Sequence, residues 1–363
     1  MAELFDVAIV GGGPAGSSCA WRLTRAGARV VVIDQKTFPR DKTCAGWVTP
    51  PVWHALQVDP ADYRACCVLQ PITGFRTGMI GGRDVQTRYD HVVSYGIRRC
   101  EFDTYLLNRC GAELRTGQPV RSMVRQAGCW RINDGIEAPL LIGAGGHFCP
   151  VARMLGARDI PGASVVTAQE IEFAASDEDL ARGSVAADTP ELFFCEDLNG
   201  YGWCFRKGSF LNIGLGRVGA EHLADHVASF VQFLRERGKL VAELPGRFHG
   251  HAYQLYERVV PKLVDDGVLL VGDAAGLAHP QSGEGIRPAV ESGLIAAEVI
   301  GDSPDDLSRY AQRIAARFGP TRSFAPSDWL PHSWLSWAAR HLLNSHWFTR
   351  RVVLNQWFLG QAV

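Results

Sequence analysis

Val10-Gly-Gly-Gly-Pro-Ala-Gly-Ser-Ser18 places Gly11, Gly13 and Gly16 in G-x-G-x-x-G spacing between an apolar β-rich run at residues 4–10 and a helically spaced stretch at 14–26. A second β-branched run follows at 28–33, so the segment reads as one compact βαβ unit. Gly11 permits the tight turn, Gly13 lets backbone approach a pyrophosphate, and Gly16 lets the helix lie close to the sheet. Pro14 and Ala15 open a helix whose first N–H groups are free for an anion. The second strand ends in Asp34, followed by Gln35, about 20 residues beyond the glycines, where a carboxylate can accept the hydroxyl protons of an adenosine ribose. The unit predicts a Rossmann-type dinucleotide domain.

Two dinucleotides share this fingerprint, and residues near 270 distinguish them. Val268-Leu-Leu-Val-Gly-Asp-Ala-Ala275 belongs to a buried strand expected over 263–271 that presents Gly272 and Asp273 at its end. Pro280, Gly283 and Gly285 then lead into a helix over 285–300. An acid at that point can bind a polyol chain, and a helix start can hold negative charge on a reduced ring. A nicotinamide dinucleotide has no such chain, so FAD is the expected cofactor.

Outward from these units the pattern changes twice. Residues 165–173 and 209–216 alternate as antiparallel strands, with a helix expected over 221–237. The fold class is therefore α/β: an FAD-binding domain (1–70, 92–160 and 257–305) carrying an inserted antiparallel β-sheet substrate domain (71–91 and 161–256), then a C-terminal helical region (306–363). Within 92–160 a helix is expected over 101–109, followed by short strands. The chain has 37 Lys and Arg against 38 Asp and Glu and no basic stripe, which argues against a nucleic-acid partner. Ten irregularly spaced cysteines without a C-x-x-C pair read as reduced thiols of a cytoplasmic protein. The first strand begins almost at Met1, leaving no room for a leader, and no apolar run approaches the ~18 residues of a membrane span.

Four further stretches carry a resemblance. Phe38-Pro-Arg-Asp-Lys-Thr-Cys-Ala-Gly46 is similar to an F-P-R-x-K-x-C-G-G segment, and Tyr95-Gly-Ile-Arg-Arg-Cys-Glu-Phe-Asp103 to an R-x-x-F-D element with Arg99 as its arginine. Tyr201-Gly-Trp-Cys-Phe-Arg-Lys-Gly208 with Asn212-Ile-Gly-Leu-Gly216 is similar to Y-x-W-x-F-P-K-G and N-V-G-x-G strands. Gly272-Asp-Ala-Ala-Gly-Leu-Ala-His-Pro-Gln-Ser-Gly-Glu-Gly-Ile286 with Glu291-Ser-Gly293 is close to G-D-A-A-G-x-x-x-P-x-x-G-E-G-I and E-S-G. Together, over roughly residues 4–300, the chain resembles the geranylgeranyl reductase family, within the flavoproteins built like para-hydroxybenzoate hydroxylase. The resemblance implies that Arg40, Cys44, Ala45, Gly46 and Arg99 lie along FAD. It also implies that Asp273 meets the ribityl and pyrophosphate region and that Pro280, Gly283, Glu284, Gly285 and Ile286 sit beside the flavin ring. It implies reduction of carbon–carbon double bonds in prenyl or other apolar substrates; Trp47, Tyr201 and Trp203 are read on the substrate side, and Arg206 either meets a substrate carboxylate or phosphate there or faces outward. Three positions depart from the pattern: Gly145 replaces an aspartate, Arg206 replaces a proline, and Trp47 stands where the family is small.

A flavin reductase needs a proton donor beside the cofactor. Cys44 is the first candidate, Tyr201 and His279 the second. His147 and Cys149 lack partners at ligand spacing, so no metal is expected. No second glycine unit holds a nicotinamide, which leaves the electron donor as NAD(P)H or a reduced carrier such as ferredoxin, a redox partner. Rival readings are a flavin monooxygenase or halogenase, although no W-x-W-x-I-P segment is present, a cyclase or isomerase without net redox, and a flavin-binding partner or sensor module. Five of the ten tryptophans (Trp329, Trp334, Trp337, Trp347, Trp357) fall in the last sixty or so residues. Trp334, Trp337, Ala338, His341 and Leu342 share one helical face, and Trp347, Phe348, Val352 and Trp357, edged by Arg350 and Arg351, another. These faces pack on the protein, on a second subunit, or on a membrane surface.

Overall fold

Val7–Val10, Val30–Asp34, Leu140–Gly143 and Val268–Leu270 are short and almost wholly apolar, as strands covered on both faces must be, and the polar, partly exposed Glu113–Thr116 forms the edge beside Val30–Asp34. The computed structural model, which describes residues 2–133, 135–157, 162–256, 262–319 and 332–360, with side chains of the last stretch from 338, joins them as neighbouring parallel strands. Val7 pairs with Val30 and Leu140, and Leu141 with Val268. Trp329 and the side chains of Trp334 and Trp337 lie outside the described residues.

Helices Pro14–Arg25 and Ile286–Asp302 cover one face of this sheet. They approach closely because Gly293 has no side chain: a Cβ there would stand 2.3 Å from the Ala15 carbonyl oxygen. The first residues of both helices, Pro14 and Ile286, line one cleft, beyond the strand ends where ligands bind in this class of fold.

The second large sheet runs His249–Gln254, Val165–Ala174, Phe210–Val218, Gly200–Lys207, Glu191–Phe194, Gly74–Met79 and Asp84–Arg88. Its strands are antiparallel except where Glu191–Phe194 runs parallel to Gly74–Met79. Period-two alternation divides its side chains between two cores. Ile171, Phe193, Cys204 and Ile213 meet Phe230, Phe233 and Leu234, part of a cluster that includes helix Leu223–Glu236. Leu192, Phe194, Trp203 and Phe205 point the other way, against Leu343, Val353, Leu354, Phe358 and Leu359 of the C-terminal segment. Each such aromatic or leucine side chain contributes roughly 1.5–3 kcal/mol on full burial, so this segment is welded to the sheet. Smaller sheets join Trp47–Val48, Ser94–Ile97 and Leu69–Ile72, and Glu3–Leu4 with three strands between Met123 and Ala138.

Three expectations change. The run at 4–10 divides into Glu3–Leu4 and Val7–Val10, which belong to different sheets. The strand expected over 263–271 is a hairpin, Val264–Asp265 against Val268–Leu270, because Asp266 and Gly267 both take positive φ (40° and 75°) and reverse the chain. The apolar periodicity continued across a two-residue turn and concealed it. In the C-terminal region, His341 and Leu342 of the expected face are exposed while Leu343 is buried, and Trp347 is 69% exposed. Buried Thr349, Val353, Leu354, Phe358 and Leu359 recur every four to five residues because Thr349–Phe358 is π-helical, a period a 3.6-residue search does not detect. Among the described residues no helix is long and apolar enough to cross a membrane.

Candidate active site

One cleft runs from the glycine turn to the face of the antiparallel sheet. At its first end, Gly11 (φ +116°) is required twice over, since a Cβ would also lie 2.3 Å from the Ala144 oxygen. A Cβ on Gly16 would stand 1.9 Å from the Gly11 oxygen. Gly13 is different: a Cβ there would meet only the Arg40 Nη2 at 3.4 Å, so this glycine borders open space. It precedes helix Pro14–Arg25, whose N-terminus has no side-chain cap and no acid in its first turn. Asp34 is held by the N–H groups of Gly12 (2.7 Å) and Lys36 (2.8 Å), with Gln35 beside it. These features fit a dinucleotide: an uncapped helix start over open space, and a fixed carboxylate one strand away. Gly145 and Gly146 form the facing wall. A Cβ on Gly145 would press within 3.3 Å of Cys149, so Cys149 occupies the space an aspartate at 145 would need.

The middle of the cleft is charged. Arg99 makes a bidentate pair with fully buried Asp103 (2.8 and 2.9 Å), and Arg40 reaches the same carboxylate at 3.2 Å. Asp103 thus fixes both guanidinium groups on the cleft wall, and both line it. Burial brings the Lys42 pKa down to about 8, although the nearby Asp273 opposes this. For Asp273 burial works upward, yet the His251 hydrogen bond (3.5 Å), Lys42 and Arg99 carry the carboxyl down to about 2. The Gly272 N–H donates to Ser292 Oγ (2.9 Å), which gives the E-S-G motif its task of fixing the turn before Asp273. The loop at 279–285 is braced by His279 N–H to the Glu284 carbonyl (2.8 Å), Gly283 N–H to the His279 carbonyl (2.8 Å), and the Tyr201 hydroxyl donating to the Ser282 carbonyl (2.5 Å).

At the far end the cleft is lined by Ala45, Trp47, Ala168, Tyr201, Trp203 and Phe358. The Cys44 peptide is gripped from both sides. Its N–H donates to the Glu170 carboxylate, and its carbonyl accepts from Asn212 Nδ2 at 3.1 Å. Asn212 in turn accepts from Trp203 Nε1 (2.7 Å) and donates to Glu172 (3.1 Å), which binds Lys207 (2.6 Å) and Arg98 (3.0 Å). The Cys44 Sγ accepts the Gly46 N–H at 3.4 Å. Two carboxyls here titrate near neutrality: burial pushes Glu284, on the cleft wall, and Glu170, behind the Cys44 loop, each up to about 7.

The structure brings Gly11, Gly13, Pro14, Ala15, Asp34, Gln35, Arg40, Cys44, Ala45, Trp47, Arg99, Tyr201, Trp203, Asp273, Gly283, Glu284, Gly285 and Ile286 to this one cleft. Gly16, Gly46 and Gly272 shape the backbone behind it, and Pro280 is not on its wall. Besides Pro280, two expected residues are placed elsewhere. Arg206 lies on the opposite face of its strand from Trp203 and Phe205, and its Nε donates to the Gly208 carbonyl at 3.1 Å, so alternation removes it from the cleft. His279 is also off the wall, and burial together with Arg287 and Arg317 holds its pKa down, leaving a neutral ring at pH 7. Tyr201 keeps its ring in the cleft, but burial raises its pKa and its proton is committed to Ser282. Sequence reading missed the roles of Asp103, Glu170, Asn212, His251 and Phe358. Of these, Asp103, four residues after Arg99 on one helix, and Asn212, which opens the Asn212-Ile-Gly-Leu-Gly216 stretch, carried a local signal.

Comparison with known proteins places the chain among flavoproteins. A family profile described as FAD-dependent oxidoreductase matches residues 6–65. A chloroplastic geranylgeranyl diphosphate reductase of Oryza sativa subsp. japonica is 30% identical over 87% of this chain and 72% of its own length. A menaquinone reductase of Mycobacterium tuberculosis is 29% identical over 86% of this chain and 80% of its own. Among solved structures, a geranylgeranyl bacteriochlorophyll reductase-like protein of Thermoplasma acidophilum superposes with a TM-score of 0.76 at 21% identity, covering 94% of this chain and 88% of its own.

Proposed function

The chain belongs to the geranylgeranyl reductase family of FAD-dependent oxidoreductases, and from that premise we propose that it reduces carbon–carbon double bonds in a prenyl-bearing or other apolar conjugated substrate. The observation that carries this reading is the continuity of the cleft: an anion-binding helix start and a charged middle open directly into an aromatic chamber. Asp34 would hold the adenosine ribose and the start of helix Pro14–Arg25 the pyrophosphate, with Arg40 and Arg99 beside it. Asp273 would hold the ribityl chain, and residues 283–286 would border the ring.

Reduced FAD supplies the hydride equivalent. The protein's own task is to position the acceptor, exclude water and deliver a proton. Trp47, Trp203 and Tyr201 supply the apolar walls. Glu284 is the carboxyl best suited to carry a proton, since burial keeps it protonated up to about pH 7, and Cys44, whose Sγ is fixed by the Gly46 N–H, is the second candidate. The Glu170 and Asn212 grip keeps the Cys44 loop from shifting as substrate enters.

The reducing equivalents come from NAD(P)H or a reduced carrier such as ferredoxin. Gly145, where an acid supports nicotinamide handling in the hydroxylases, favours the carrier. Exposed Trp347 and Leu342, with Arg350 and Arg351 nearby in the chain, would let the C-terminal segment rest on the membrane that holds a lipid substrate. Incubating the reduced holoenzyme anaerobically with geranylgeranyl lipids that carry no quinone ring tests the reading by product mass. A gain of two hydrogens per double bond supports it. A product that forms only with O2 and gains oxygen moves the protein to the monooxygenase branch.

A further inference from the structure

We infer that Phe358, stacked on Trp47, is the end stop of the acceptor chamber and sets how long an apolar chain it admits. This rests on the reductase reading of the same cleft. Phe358 is 3% exposed, yet it lines the cleft, and among the described residues it is the one wall residue beyond Ala289. Its ring lies 5.4 Å from that of Trp47 at 12°, a stacked pair, and meets Tyr201 edge-on at 5.4 Å and 77°. Trp47 is in turn wedged against Phe75 (5.1 Å) and Phe205 (6.0 Å). The wall is therefore a continuous aromatic surface rather than a single mobile side chain.

The backbone behind it is equally fixed. Val353, Leu354 and Leu359 are buried in the same cluster, and the π-helical turn brings residues 353, 354, 358 and 359 onto one face. A wider π turn inserted in this way is a device commonly found at functional sites. Here it aims one ring into the cleft from a segment whose outer face carries exposed Trp347. Truncating Phe358 to alanine removes a six-carbon ring, more than the five carbons of one isoprene unit, and Trp47 then loses its stacking partner. The chamber lengthens at its apolar end, while the carboxylates, arginines and glycines of the dinucleotide half are untouched.

The test uses the full-chain oxidised holoenzyme, so that no turnover is needed. Prenyl alcohols of two to five isoprene units are titrated against the wild type, Phe358→Ala and Phe358→Leu, and affinity is read from perturbation of the visible flavin spectrum. In the wild type, affinity should rise with each unit until the chamber is full and then fall. Phe358→Ala should move the optimum one unit longer, with a gain of about tenfold for the first chain the wild type rejects. Phe358→Leu, which keeps most of the packing, should shift affinity in the same direction by less. If the alcohols bind but the length profile is the same in a variant that retains flavin, the end stop is wrong and the reductase reading stands. If no chain perturbs the flavin in any form, the reductase reading fails and the end stop with it.

Discussion

Along the dinucleotide half of the cleft the walls are mostly backbone. Gly11, Gly13, Gly145, Gly283 and Gly285 leave main chain facing the space, and Asp34 is held by two peptide N–H groups within two residues of its own strand or the neighbouring turn. Along the acceptor half the walls are side chains, brought from residues 44–47, 168, 201–203 and 358. Backbone contact demands glycine at fixed spacing, so it leaves a short, local record in the sequence. Side-chain contact demands only suitable shape from whichever segments the topology brings together, and its record is scattered. The two halves should also respond differently to mutation, the first by losing cofactor and the second by losing turnover with cofactor in place.

The largest effect expected is for Gly16→Ala, whose Cβ has no room beside the Gly11 oxygen. Flavin affinity should fall by about a hundredfold or more and thermal stability with it, read from flavin content and melting temperature. Gly13→Ala sharpens the contrast: its Cβ faces open space, so the apo fold should keep its melting temperature while flavin binding weakens. If both variants melt alike, the distinction between packing glycine and cofactor glycine is mistaken.

Next is Asn212→Ala, which removes the grip on the Cys44 carbonyl and leaves Trp203 Nε1 without its acceptor. Each buried group so orphaned costs about 1–3 kcal/mol. Flavin content should stay near wild type, and reoxidation of reduced flavin by a prenyl acceptor should slow by about tenfold or more. Loss of flavin instead would show that the two halves are not separable at this position.

Glu284 sits between the halves, and its raised pKa has two consequences. From about pH 4.5 to about 7 the folded protein binds a proton there that the unfolded chain does not, so stability from this group is fully present at low pH and is lost as pH rises through about 7. Against Glu284→Gln, the wild-type melting temperature should therefore decline over that window. The rate of acceptor-driven reoxidation should stay level over most of that window and fall as pH rises through about 7 if Glu284 delivers the proton, and the Gln variant should lack that fall. The smallest effect is expected for Arg206→Ala, within about 0.5 kcal/mol in stability and about twofold in kcat/KM, because the strand turns that side chain away from the cleft. A large loss there would mean that the acceptor also uses the far face of the sheet.

The same contrast explains what was legible in advance. The glycine turn, Asp34, Gly272-Asp273 and the residue 283–286 loop are each a contiguous signature with a backbone reason, and the structure gathers all of them at one edge of the parallel sheet. For Arg206 the sequence leaves substrate contact and an outward-facing side chain both open, and alternation along the strand selects the second. His279 was read from a motif whose loop uses it as a brace through its own backbone. Phe358 left no usable mark, because a π-helical period aligns it with Val353 and Leu354 and because its partner Trp47 is more than three hundred residues away. The hairpin at Asp266 and Gly267 was hidden by apolar residues on both sides of a turn that only positive φ reveals.

The central claim, that the aromatic chamber presents an apolar unsaturated acceptor to reduced flavin, is tested most directly without oxygen. Reduce the bound flavin with dithionite under anaerobic conditions, remove the excess, add geranylgeranyl lipids that carry no quinone ring, and follow the return of the oxidised flavin absorbance. Reoxidation of one flavin for each double bond saturated is the result expected. A flavin that stays reduced with every such acceptor until O2 is admitted would contradict it.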